Sequence, residues 1–64
     1  MEFYALVSRV RAEFLEMPGL RLTPKQASRL WGIDDSVCRR VVDSLVEAAF
    51  LRRAEGGTFV RAGQ

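Results

Sequence analysis

The chain has 64 residues, ten of them Lys or Arg and eight Asp or Glu, for a net charge of +2. Hydrophobic residues make up 48%, with four Phe, one Trp and one Tyr, which favours a folded domain over a disordered tail and predicts one small domain over residues 1–64. A single cysteine, Cys38, and no histidine exclude an internal disulfide and a Cys/His metal set, and the expected setting is reducing and cytoplasmic.

Phe3, Leu6, Val7, Val10 and Phe14 recur at the spacing of one helical face and predict a first helix over about 2–16. Glu2, Arg9, Arg11 and Glu13 lie within this apolar stretch, so neither a signal peptide nor a membrane span is expected. Pro18-Gly19 ends the pattern in a turn. Leu20-Arg21-Leu22 alternates apolar and basic, the signature of a very short strand with both leucines inward. Thr23-Pro24-Lys25-Gln26 then predicts a second helix over about 24–31. Thr23 caps the free amides, Pro24 suits the first helical position and Gln26 completes a capping box.

Gly32 stands where a left-handed residue ends a helix at low cost. Ile33 returns to the core and Asp34 is the expected cap of a third helix over about 35–49, with Asp35 favoured in its first turn. Along that helix Cys38, Val41, Val42, Leu45 and Ala49 form an apolar stripe. A hairpin over 51–61 follows, turning at Glu55-Gly56-Gly57, and Ala62-Gly63-Gln64 is expected to fray.

The order is helix, short strand, helix, helix, hairpin, an α+β and mainly α fold class. Around the turn, Ser28 is small four residues before Gly32, Ile33 is apolar directly after it, and Cys38 and Val41 are apolar six and nine after it. Ala27 and Trp31 fill the apolar positions of the preceding helix. Two helices that cross steeply need a small residue at their contact and a glycine at the turn. Over residues 3 to 61 the chain resembles the winged helix-turn-helix DNA-binding domains of bacterial regulators. The resemblance implies three helices, a short strand and a C-terminal β-hairpin wing. It further implies a transcriptional regulator that reads the major groove of double-stranded DNA with its third helix.

Under that reading Arg40 forks onto a guanine edge, while Ser36 and Arg39 meet a base or a phosphate. The competing reading is a solvated face tied by Arg39–Asp43 and Arg40–Asp43 pairs, each worth only a few tenths of a kcal/mol. Asp34, Asp35, Asp43 and Glu47 oppose DNA, because four carboxylates on or beside one helix repel phosphate. Lys25 and Arg29, one turn apart on the second helix, are a phosphate clamp or simply solvated basic residues. On the hairpin, Arg52, Arg53 and Arg61 either touch the DNA backbone or protect strand edges by charge. Alternation sends Arg52 and Arg53 to opposite faces, and Arg53 is taken as the backbone contact. Trp31 and Cys38 are expected as core residues rather than a stacking platform and a reactive thiol.

The DNA-binding set is therefore Lys25, Arg29, Ser36, Arg39, Arg40 and Arg53. The alternative is a winged helix that docks another protein, since a fold does not dictate its partner. Phe3, Tyr4 and Leu15 are leftover apolar surface through which a homodimer can form. Catalysis is not expected, and no cofactor, metal or small-molecule ligand is implied. The positive excess lies in residues 20–64, with eight basic against five acidic residues, compared with two against three in residues 1–19.

Overall fold

A computed structural model describes residues 2–63; Gln64 of the expected frayed end lies outside them. Three helices are followed by a hairpin: α1 Phe3–Glu16, α2 Pro24–Trp31, α3 Asp35–Glu47, β1 Leu51–Arg53 and β2 Phe59–Arg61. The strands pair antiparallel with Leu51 opposite Arg61, Arg52 opposite Val60 and Arg53 opposite Phe59. This is the arrangement of a winged helix.

The short strand expected at 20–22 is reduced to one bridge. Leu22 exchanges backbone hydrogen bonds with Phe59, its amide at 3.4 Å and its carbonyl accepting at 2.8 Å. Leu20 does not extend the ladder, because its amide donates instead to the Met17 carbonyl at 2.9 Å and closes the Pro18-Gly19 turn. Both leucines are nonetheless half-buried against the core, as the alternation predicts.

The core is formed by Leu6, Val10 and Phe14 of α1, Ala27 and Trp31 of α2, Cys38, Val41, Val42 and Leu45 of α3, and Leu51 and Phe59 of the hairpin. Phe14 joins three elements, with its ring 6.5 Å from Trp31 and 5.8 Å from Phe59. Tilted and edge-on aromatic contacts of this kind add to what area burial supplies.

The punctuation of α2 follows the sequence. Thr23 Oγ1 accepts from the Gln26 amide at 3.1 Å, and the Gln26 side chain accepts from the Thr23 amide at 2.9 Å. Gly32 adopts φ 64° and ψ 41°, and the Ile33 amide donates back to the Ser28 carbonyl at 3.0 Å. The ends of α3 differ from expectation. Asp34 has the extended backbone of an N-cap, but its carboxylate makes no capping hydrogen bond. The helix stops at Glu47 rather than 49, and Ala49 turns left-handed at φ 61° and is exposed. The Ala49 amide donates to the Val46 carbonyl and the Phe50 amide to that of Leu45, both at 2.9 Å. That paired pattern is a Schellman closure, and it takes Ala49 out of the apolar stripe.

Candidate nucleic-acid interface

The helix pair is held by small buried contacts. Ser28 is buried, with its hydroxyl donating to the Lys25 carbonyl at 3.0 Å, and Ala27 is fully buried beside it. From α3, the Cys38 thiol reaches the Pro24 carbonyl at 3.5 Å. Burial, and secondarily the Asp35 carboxylate, push the Cys38 thiol pKa up. Both effects penalise the thiolate, so the residue acts as packing material.

With Cys38, Val41, Val42 and Leu45 turned inward, α3 presents Ser36, Arg39, Arg40 and Asp43 to solvent. Lys25 and Arg29 are exposed on α2. Neither Arg39 nor Arg40 pairs with Asp43. Among the described residues the one ion pair joins Asp43 to Arg53 of β1, ten residues away. The hairpin returns alongside α3, so a wing arginine reaches Asp43 from outside the helix. The Arg39–Asp43 and Arg40–Asp43 pairs of the competing solvated-face reading are thus replaced by one pair between elements. Both partners are 59% exposed, so Arg53 retains donors toward solvent while tying the wing to α3.

Arg40 is positioned by a contact that spacing does not reveal. Its guanidinium lies 5.3 Å from the centre of the Phe3 ring of α1, a cation–π arrangement that orients the side chain without neutralising it. Arg52, by contrast with Arg53, faces away from α3, as strand alternation requires. The wing tip is short: Gly56 and Gly57 are left-handed at φ 73° and 74°, and Thr58 Oγ1 donates to the Glu55 carbonyl at 2.8 Å.

Trp31 is buried and belongs to the core, its indole Nε1 without a hydrogen-bond partner. Leftover apolar surface lies at Tyr4, Leu15, Met17 and Leu30, whereas Phe3 is half-buried beneath Arg40. Among the described residues, no group of three or more His, Cys, Asp or Glu side chains is placed to hold a metal ion. No described helix is long and apolar enough to cross a membrane.

No protein-family model, curated protein or solved structure matches the chain.

Proposed function

We propose that the protein binds double-stranded DNA as a small transcriptional regulator, with α3 in the major groove and the wing against the backbone. The observation that carries this reading is the state of charge along α3. Asp43, the carboxylate in the middle of the exposed face, is paired with Arg53, while Arg39 and Arg40 have no ion-pair partner among the described residues. One of the four carboxylates that oppose phosphate approach is thereby neutralised, while Asp34, Asp35 and Glu47 stay exposed, and two guanidiniums stay available near the helix N-terminal half. Arginine forks are suited both to guanine edges and to phosphates. Lys25 and Arg29 on α2 would add phosphate contacts that fix register without reading sequence.

The test is fluorescence anisotropy of a mixed-sequence duplex at several salt concentrations, with wild type and an Arg39→Ala/Arg40→Ala variant. Contacts to about four phosphates give a log–log salt slope near −3.6, and the variant is expected to bind more weakly with a shallower slope. Absence of binding at low salt, or indifference to the two arginines, sinks groove reading.

A second reading, a protein-docking module, draws on one observation. Tyr4 is 73% exposed and Leu15 47%, and at eleven residues apart they share one face of α1. It predicts capture of a protein partner that survives nuclease treatment and needs Tyr4 and Leu15.

A further inference from the structure

A second basic feature lies on the other side of the hairpin. Continuing the antiparallel register from the Leu22–Phe59 bridge sets Arg21 beside Val60, and Arg52 stands directly opposite Val60 on β1. Arg21, Val60 and Arg52 thus form one row across the sheet, on the face that α3 does not cover. The Pro18-Gly19 turn and this row line a cleft of about 290 Å³, and Arg61, opposite Leu51 and so on the other face by alternation, borders it. That size is at the small end of ligand pockets.

We infer that this cleft is an oxyanion site that takes a phosphoryl group between Arg21 and Arg52, with Arg61 at its border. Its lining holds no carboxylate, and none of the three arginines has an ion-pair partner among the described residues. Like charges brought to one cleft repel one another, an effect only partly offset by Glu55 of the adjoining hollow that Arg21 and Arg52 share, and a bound dianion relieves that repulsion. Arg61 is also preorganised. Its guanidinium lies 5.0 Å from the centre of the Phe50 ring, which Arg11 of α1 approaches at 5.1 Å, and its Nε is buried with no hydrogen-bond partner. A fixed guanidinium with an unused donor gives up less rotamer freedom on binding than a free one. Gly19 leaves the mouth open, since a side-chain carbon built there would meet nothing within 4 Å. Charge selects a phosphoryl group over a carboxylate, because a dianion balances more of the three positive charges and offers oxygens for two-pronged donation. The oxyanion is either a free phosphate or phosphomonoester, or a phosphate of a nucleic-acid backbone. The site does not depend on groove reading by α3.

The experiment is a titration of the full chain followed by two-dimensional ¹H–¹⁵N NMR, including the arginine Nε–H signals. Inorganic phosphate is added in one arm and a short duplex in another, with chloride at matched ionic strength as control. Saturable shifts at Arg21, Arg52 and Arg61 with phosphate support a free phosphoryl ligand. The same shifts with the duplex alone assign the oxyanion to a nucleic-acid backbone. Arg21→Gln and Arg52→Gln, both exposed and tolerable to the fold, should each weaken the response about tenfold, as loss of one charge-assisted hydrogen bond predicts. Groove reading is judged separately by the anisotropy series with Arg39→Ala/Arg40→Ala, so its failure leaves the phosphate shifts at Arg21 and Arg52 to stand or fall on their own. Shifts that never saturate, that chloride reproduces, or that ignore both Gln variants overturn the site.

Discussion

At the scale of single residues, the same turn is built twice with different residues. After α2 the left-handed position is Gly32, and after α3 it is Ala49. A side chain in the left-handed region costs about 1–2 kcal/mol, which glycine avoids. Ala49→Gly should therefore stabilise the domain by about 1 kcal/mol in chemical denaturation, less a few tenths for the looser unfolded chain. Gly32→Ala should destabilise by a similar amount, and through backbone conformation alone, because a Cβ there meets nothing within 4 Å. Equal stabilities for Ala49→Gly and wild type would show that the Phe50–Leu45 closure is not formed. Cys38 is a second residue with a clear signature. Its folded pKa is raised, so the neutral thiol is favoured in the native state and ionisation favours unfolding. This contribution to stability is full below the ordinary thiol pKa of about 8.5 and is lost as pH rises through it toward the folded value. At pH 8 a thiol reagent should label Cys38 only as fast as the chain opens, accelerating with denaturant in step with the loss of helical circular dichroism. Fast labelling of the folded protein would contradict the burial.

At the scale of elements, helix punctuation was readable where it is local and misleading where it is not. Thr23, Pro24 and Gln26 form a reciprocal cap within four residues, and the observed hydrogen bonds match it. Asp34 has the right residue type and the right backbone, yet its carboxylate accepts no amide hydrogen bond from the first turn. Thr23→Ala should then cost about 1 kcal/mol, whereas Asp34→Ala should cost only the few tenths that a charge near a helix dipole supplies. Equal losses in parallel denaturation curves would contradict this difference. The apolar stripes of α1 and α3 were legible because burial imposes period 3.6 on the sequence. The extra turn expected at Ala48-Ala49 was not excluded by composition, since alanine favours helix; the Phe50 amide bond back to Leu45 decides it. The candidate site was legible as residues but not as pairs. Arg53–Asp43 and Arg40–Phe3 each join different elements, and no spacing rule along one helix encodes a partner that arrives from another.

At the scale of the whole molecule, dimensions and stability both limit what the chain can do. Its longest extent is 29 Å, shorter than the 34–36 Å between successive major-groove faces. One copy acting as a DNA reader therefore engages a single groove segment, and a two-part operator requires a second copy. A 64-residue domain at ordinary stability per residue has roughly 3–10 kcal/mol in total. Much of that depends on Phe14, which is fully buried and whose ring joins α1 to Trp31 of α2 and Phe59 of β2. Truncating such a ring costs about 3–5 kcal/mol, since the lost transfer energy is compounded by the cavity left behind. The loss is a large share of the whole, so Phe14→Ala should abolish or steeply lower the cooperative thermal transition followed at 222 nm, together with any DNA or phosphate binding. Tyr4→Ala, on the same helix but largely exposed, should melt within a few degrees of wild type. A cooperative Phe14→Ala melt close to that of Tyr4→Ala would mean that α1, α2 and the wing do not share one core through this ring.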